Sequence, residues 1–225
     1  MHKKDNGIKT MKKLFAIALA AGLLVIGTQA NAQIMPGAGF VHSTISGQFN
    51  GAKEDNVNYN GFYAGASYHI DLPVKGLAVT PGAYLSVLSN YNDGSDRVGS
   101  SIQTTETRTN EVALNIPVYA NFSTYIPNYP GGAFVYLGPT FQMGLSSKSH
   151  LEGSGVLETS QDTDYYAENF YNRFDLFLSI GAGGAIGNLL ITVGYNQGLL
   201  NLYAGDTADT YYHHSNLLFG LNYKF

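Results

Sequence analysis

The residues that could support nucleophilic or acid–base chemistry cluster close to one predicted loop. His213 and His214 are followed directly by Ser215, and Asp206 and Asp209 lie shortly before them. A histidine, a serine and a carboxylate are the residue types of a hydrolytic triad, but a triad also needs a geometry that spacing does not define. Two alternatives therefore stay open: an enzyme of the hydrolase or acyltransferase type, or solvated loop residues without a catalytic role.

Metal binding is weakly supported. His213-His214 has no third ligand at a fitting spacing. Asp162-Thr163-Asp164 is similar to the start of a calcium loop, but the glycine and the final glutamate of such a loop do not follow. The chain contains no cysteine, which excludes disulfides and thiolate metal sites. We therefore predict no metal and no cofactor.

The elements that must position these residues are strands. From Gly37 onward, apolar and polar residues alternate and helical periodicity is missing. We predict eight strands at about 38–49, 59–70, 77–89, 109–124, 133–146, 173–186, 189–200 and 215–225. Each is close to the 9–11 residues, roughly, that a tilted strand needs to cross a membrane, with some overhang.

The connections between these strands alternate in length. Those at 71–76, 125–132 and 187–188 are short and rich in Pro, Gly and Asn, whereas those at 50–58, 90–108, 147–172 and 201–214 are long and polar. An even-stranded barrel with both termini on one side produces this order. The sequence thus predicts an all-β fold, an eight-stranded antiparallel up-and-down transmembrane β-barrel.

The two faces of the strands differ in polarity. One face is apolar and has no charge in any strand middle, so we expect it to face lipid; the other carries Thr, Ser, Asn, Gly and Tyr and should face the lumen. Glu111, Asp175 and Arg173 lie on the luminal face near the long loops. Because buried charges must pair, we predict that they form a network at that mouth. Lys224 and His69 should lie at the opposite mouth.

Three prolines fall inside predicted strands. Pairing through the loop 90–108 and the turn 125–132 brings Pro81, Pro117 and Pro139 to one level on adjacent strands. Proline cannot donate to a ladder, and a closed barrel has no edge on which to place it. We predict a bulge or interrupted pairing at this level.

The first residues have the pattern of a secretory signal peptide. Lys12-Lys13 precede an apolar run over 14–27, and Ala30-Asn31-Ala32 forms an A-x-A cleavage site before Gln33. The run is shorter than the roughly 20 residues of a transmembrane helix. We predict a signal peptide over 1–32 and a barrel over 33–225. A start at Met11 would make 1–10 an upstream extension.

The charge argues against nucleic acid as a partner. Five of the twelve Lys and Arg residues and one of the sixteen acids precede Gln33, so seven basic and fifteen acidic residues remain and the net charge of 33–225 is −8. A chain of this charge is repelled by a phosphate backbone.

The last predicted strand carries a recognisable pattern. Its outward apolar face is formed by Leu217, Phe219, Leu221, Tyr223 and Phe225. This resembles the C-terminal signature of bacterial outer-membrane β-barrels, which the barrel assembly machinery reads by edge addition. Together with the signal peptide and the strands, it makes 33–225 similar to the porin-like superfamily, whose small eight-stranded members include the OmpA transmembrane domain and OmpX. The resemblance implies the outer membrane of a Gram-negative bacterium, with both termini periplasmic.

The resemblance implies little about activity. An eight-stranded barrel is about filled by its own side chains, so a large pore is not expected. We expect a structural or surface-interaction role, with the extracellular loops 90–108 and 147–172 contacting a ligand or protein, besides outer-membrane lipid and the assembly machinery. Some barrels of this class are lipid A hydrolases or acyltransferases. A membrane-embedded lipid-modifying enzyme and a narrow channel for small solutes are therefore the alternatives.

Overall fold

A computed structural model describes residues 32–98, 101–125, 131–154, 159–168, 170–205 and 207–225. The strands are β1 Ala32–Phe49, β2 Ala52–Lys53, β3 Val57–Asp71, β4 Leu77–Val98, β5 Ser101–Tyr125, β6 Gly131–Ser154, β7 Thr159–Asp164, β8 Phe174–Ile186, β9 Leu189–Gly198 and β10 Tyr211–Tyr223. In these ranges no helix is long and apolar enough to cross a membrane.

The eight long strands form a closed antiparallel ring. Their order is β10-β9-β8-β6-β5-β4-β3-β1, and β1 pairs again with β10 from Gly37↔Asn222 to Gln48↔Tyr211. The two short strands are additions, because β2 pairs only with β1 and β7 only with β6. The predicted eight-stranded up-and-down barrel is confirmed. We refer to the end with 71–76 and 187–188 as the short-turn end and to the other as the long-loop end.

The predicted inside and outside faces are also confirmed. Val87 and Ile180 are each 56% exposed on the outer surface, whereas their inward neighbours Ser86 and Ser179 are buried. An outward apolar band around a closed barrel is the surface that contacts lipid hydrocarbon.

Two segments that the sequence predicts as loops contain strand. Across 90–108, β4 and β5 stay paired up to Val98↔Ser101, and within 147–172, β6 continues to Ser154 and pairs with β7. We term residues 90–98, 101–110, 147–154 and 159–164 the projecting sheet. Its strands lack the apolar–polar alternation because both faces are polar, whereas backbone pairing needs no apolar face.

Pairing is interrupted at the level of the prolines. Between β3 and β4, residues 68–69 are not paired with 80–81. Between β4 and β5, residues 82–83 are not paired with 116–117. Between β5 and β6, residues 118–119 are not paired with 138–139. Each gap contains Pro81, Pro117 or Pro139. Register is unchanged across each gap, so the predicted interruption is confirmed without a bulge. The β6–β8 ladder continues through Pro139↔Leu178.

One register shift occurs between β5 and β6. Val112 pairs with Ser146 whereas Ala113 pairs with Gly144, so Leu145 is an extra residue in β6. This bulge lies where the barrel passes into the projecting sheet. It switches the inward-facing parity of β6, so that Gln142 and Ser147 both point inward and are buried.

The lumen differs in its two halves. At the long-loop end it is filled by an apolar cluster of Val41, Ile45, Tyr59, Leu88 and Leu202. At the short-turn end it holds a cavity of about 520 Å³. The sequence predicts a lumen packed with polar side chains. In the long-loop half, Ser43, Glu111, Asp175 and His214 are such inward polar residues, but inward apolar side chains meet Leu202 from a loop, which the sequence does not predict.

Candidate functional site at the long-loop end

Two loop segments fold over the long-loop end and close it. We term residues 165–168, 170–172 and 199–205 the cap. The two segments are joined by the Asn172 amide, which donates to the Leu202 carbonyl at 2.7 Å, and the Leu202 amide donates to Tyr212 of β10 at 2.9 Å. The Asp164 carboxylate starts the first segment by accepting the amides of Tyr166 and Ala167. Cap and barrel wall are thus hydrogen-bonded together.

Aromatic rings cover the apolar cluster from above. Ring contacts at 4.9–6.4 Å connect Phe170 with Tyr171, Phe170 with Tyr203, and Tyr203 with Tyr212. Tyr171 and Tyr212 also pack against the apolar cluster below. A channel needs a continuous polar lumen, and the described residues of this half present packed aromatic and aliphatic side chains instead.

The predicted luminal acids lie just beneath the cap. Glu111 and Asp175 face inward and are buried, at 5% and 1% exposure. The Tyr166 hydroxyl donates to Glu111 Oε1 at 3.4 Å, and Asp175 Oδ1 accepts the Leu176 amide at 2.7 Å. Burial, together with the nearby Glu111, raises the pKa of Tyr166, which keeps its hydroxyl protonated as a donor.

Arg173 does not pair directly with these acids. Its Cζ lies 5.2 Å from the centroid of the Tyr166 ring, and Nη1 donates to the Leu145 carbonyl at 3.5 Å. Within the described ranges no ion pair joins Arg173 to Glu111 or Asp175. Tyr166 therefore connects Arg173 with Glu111, through a cation–π contact on one side and a hydrogen bond on the other. Asp175 is not part of this connection, so the predicted network of all three residues does not form. The role of Tyr166 is not visible in the sequence, because its side chain reaches the lumen only when its loop folds inward.

The candidate triad residues separate on opposite sides of β10. His214 is inward and buried, and Nε2 lies 2.6 Å from Ser43 Oγ of β1. His213 and Ser215, its chain neighbours, alternate to the other face of the strand. Asp209 contacts the wall through its carbonyl, which accepts the Gly51 amide, and Asp206 lies outside the described residues. The set His214, Ser215 and Asp209 is not assembled. The other candidate histidine, His213, shares the outer face of β10 with Ser215, and no hydrogen bond joins the two within the described residues.

The Ser43–His214 pair is enclosed in the wall. Phe177 packs on the His214 ring at 5.8 Å, and both polar residues are at most 2% exposed. His214 Nδ1 and Asp175 Oδ2 are buried without a hydrogen-bond partner in the described structure. A serine–histidine pair with no acid on Nδ1 and no path to lipid lacks two requirements of lipid hydrolysis. The sequence does not indicate Ser43 as the partner of His214, because β1 lies beside β10 only once the barrel has closed.

A cluster of titratable side chains around His150 lies on the projecting sheet. His150 is exposed, with Nδ1 2.6 Å from Asp162 Oδ1 and Nε2 2.8 Å from Glu152 Oε1. The hydrogen bond with Asp162, and then that with Glu152, raises the pKa of His150. In the described ranges no three His, Asp or Glu side chains are placed to hold a metal ion. Asp162 and Asp164 belong to β7 and not to a calcium loop.

The remaining predicted residues lie as follows. Leu217, Phe219, Leu221, Tyr223 and Phe225 all face outward and are exposed, in an unbroken stripe. Their role as an assembly signal stays a prediction. Of the predicted cleavage site, Ala30 is outside the described residues, Ala32 begins β1, and Gln33 pairs with His69.

With its fold and inward-facing residues established, the chain can be placed among known proteins. It belongs to the outer membrane protein beta-barrel domain family, which matches residues 28–204. The protein is therefore an outer-membrane β-barrel of the Gram-negative type. No curated protein matches it.

Similar solved structures include three bacterial surface or outer-membrane proteins. The attachment invasion locus protein Ail of Yersinia pestis is 17% identical, with 86% of this chain and 99% of that chain covered and a TM-score of 0.38. The Neisserial surface protein A is 13% identical, with 87% and 99% covered and a TM-score of 0.42. The outer membrane protein OprG of Pseudomonas aeruginosa is 11% identical, with 88% and 98% covered and a TM-score of 0.35.

Proposed function

We propose that this outer-membrane barrel is a surface-interaction protein whose projecting sheet binds an extended segment of a partner protein. The observation that carries the proposal is the free edge of β4. Pairing of β4 with β3 ends at Asn60↔Ser89, so residues 90–98 pair only with β5. The opposite edge, β7, pairs only with β6.

An unpaired strand edge offers a row of backbone donors and acceptors. Natural proteins block such edges with proline, bulges, charged side chains (lysine above all) or very short strands, because any extended chain can add to them. Residues 90–98 contain no proline and no lysine, their ladder with β5 has no register shift, and their three charges, Asp93, Asp96 and Arg97, are of mixed sign. This edge fits strand addition, in which backbone bonds give affinity and side-chain pockets give specificity.

The orientation belongs to the same proposal. The long-loop end would face the medium and the short-turn end, with both termini, the periplasm. Long loops outside and short turns inside are typical of bacterial barrels. A protease cleavage site or an epitope tag inserted between Val98 and Ser101 tests this orientation, because the insert should be accessible on intact cells. If the insert is labelled only after the cells are lysed, the barrel has the opposite orientation.

The binding test uses a random-peptide display library selected on the barrel in lipid nanodiscs. Residues 93 and 106 face each other across the β4–β5 ladder, so a variant with 94–105 replaced by a two-residue turn shortens the sheet without touching the barrel. We expect enriched peptides to lose binding to this variant.

A face control separates edge binding from side-chain binding. Glu106→Gln with Arg108→Gln changes exposed side chains of β5 but leaves the edge of β4 intact. If this control variant still binds the enriched peptides, the result supports binding at the backbone edge of β4. Loss in the face variant with retention in the shortened variant would contradict it, and so would the absence of any peptide that prefers the barrel to empty nanodiscs.

A further inference from the structure

The cavity in the short-turn half of the lumen has the size of a ligand pocket. Its volume of about 520 Å³ lies inside the range of roughly 300–1,000 Å³ found for small-molecule sites. Thr124, Gly132, Gly187 and Lys224 line it at the short-turn rim. At its inner end Val41 and Leu88 belong to the apolar cluster that fills the other half. Within the described residues, the cavity thus opens at the short-turn rim and ends at the apolar cluster.

Tyrosine rings form its walls because facing glycines let them lie flat. A Cβ at Gly181 would stand 2.2 Å from Tyr136 Cζ, and one at Gly194 would stand 2.1 Å from the Tyr136 hydroxyl. Any other residue at these two positions would push the ring toward the barrel axis. The glycines therefore hold the ring against the wall and keep the axis open.

The aromatic part of the wall comes from four neighbouring strands, β3 to β6, each of which contributes one tyrosine. Tyr119 and Tyr136 stack with centroids 4.7 Å apart, and Tyr63 and Tyr84 meet edge to face at 5.7 Å. All four rings line the cavity. Aromatic pairs favour offset-stacked and edge-to-face arrangements, and a flat aromatic guest can make the same contacts with these rings.

The charge of the lining has one sign. The described residues that line the cavity include no Asp or Glu. They include Lys224 and His69, which lie at the mouth, where the sequence predicts them. In the described ranges no ion pair joins Lys224 to an acidic side chain. His69 is held by Asp71 at 3.2 Å, which leaves the Lys224 ammonium as the cation available to a guest.

From these observations we propose that the short-turn half of the lumen binds an aromatic carboxylate, with the aromatic body against the rings of the four tyrosines and the carboxylate at Lys224. An ammonium–carboxylate hydrogen bond at a partly desolvated mouth favours the anion over a neutral isostere. Entry from the periplasm rests on the orientation proposed above, whereas the pocket and its chemistry do not.

The test uses 6-hydroxy-2-naphthoate and its neutral amide with the barrel in nanodiscs. The chain has no tryptophan, so quenching of tyrosine emission by the naphthalene ring beyond that in empty nanodiscs reports binding to the barrel, and the variants below assign it to the lumen. We expect Lys224→Gln to weaken binding of the carboxylate about tenfold, the loss of one charge-assisted hydrogen bond. Lys75→Gln is the matched control, because Lys75 lies exposed on a turn at the same end and does not line the cavity.

A second pair of variants tests the location. Thr192 lines the cavity, so Thr192→Trp should fill it and abolish binding, whereas Val193→Trp places the same ring on the outer surface and should leave binding unchanged. If Thr192→Trp does not fold, the two lysine variants decide alone. The proposal is overturned if the naphthoate binds no better than to empty nanodiscs, if both lysine variants bind equally, or if a folded Thr192→Trp still binds.

Discussion

Ser43 and His214 meet across the seam that closes the barrel, with 2.6 Å between Oγ and Nε2. The two residues stand on β1 and β10, and the hydrogen bond joins strands that become neighbours only when the ring closes. Ser43→Ala would leave a buried imidazole nitrogen without a partner, which costs about 1–3 kcal/mol. We expect a loss of that size in the free energy of unfolding, measured with denaturant on the refolded barrel.

Ser46→Ala is the control for this prediction, since Ser46 lies on the same strand and faces outward. A surface substitution of this kind changes stability by roughly 0.5 kcal/mol or less. Equal effects of the two variants would mean that the seam hydrogen bond contributes no net stability.

The interrupted ladders predict a local and not a global effect of proline removal. Pro117→Ala restores an amide in the gap between β4 and β5, which offers a hydrogen bond worth about 0.5–1.5 kcal/mol. It also frees the unfolded chain, which costs about 0.4–1 kcal/mol. Unfolding free energy should therefore change by less than about 1 kcal/mol, while hydrogen exchange at Gly82 and Ala83 slows.

Pro36→Ala serves as the comparison, because the ladder with β3 runs unbroken through Pro36↔Ala66. Faster or unchanged exchange at Gly82 and Ala83 in the Pro117 variant would show that the gap has another cause.

The outward stripe of β10 predicts a kinetic effect on assembly. Phe225 is 72% exposed at the short-turn end, where a lysine costs a finished barrel only about 0–1 kcal/mol. Before closure, however, the last strand is an open edge available for recognition. We expect Phe225→Lys to reduce folded protein in cell membranes while refolding in detergent is unchanged. Tyr68→Lys, an outward aromatic on β3, should insert normally; equal insertion of both would remove the assembly role.

His150 predicts a pH-dependent attachment of β7. Its imidazole faces Asp162 on β7 and Glu152 on its own strand, and Arg108 stands opposite on β5 beside Glu106. The pKa is raised, so the stabilising contact is complete below the ordinary histidine pKa and is lost as pH rises through the raised value. Proteolysis at 159–164 should therefore increase as the pH rises through that raised pKa.

His150→Gln should remove this pH dependence, whereas His42→Gln should not, because His42 contacts the amide of Asn60 and no carboxylate. A protease profile that is unchanged between the two variants would place the pH sensitivity elsewhere. A titration of the His150 ring by NMR measures the pKa directly.

The alternation of residues was sufficient to predict the barrel, its closure and its faces, because lipid outside and packed lumen inside impose opposite polarity on successive side chains. It failed at Asn90–Val98, where water on both sides removes that contrast. It also failed at Leu88 and Leu202, whose burial depends on a loop folding inward. The sequence indicated His214 as a candidate but not Ser43, because the two residues are 171 positions apart and meet only where β1 pairs with β10.

The extra residue Leu145 has a consequence for how this chain could change in length. Pairing of β6 with β8 ends at Met143↔Phe174, and pairing of β6 with β7 begins at Lys148↔Asp164. Between these points the Gly144 amide donates to the Arg173 carbonyl and the Tyr165 amide donates to the Ser147 carbonyl, but Leu145 has no partner in the ladder with β5. Deleting Leu145 would leave every ladder pair in register, whereas a one-residue deletion elsewhere in β6 turns a whole segment inside out. We therefore expect a change of length to be tolerated at this position, which would let the projecting sheet vary independently of the barrel.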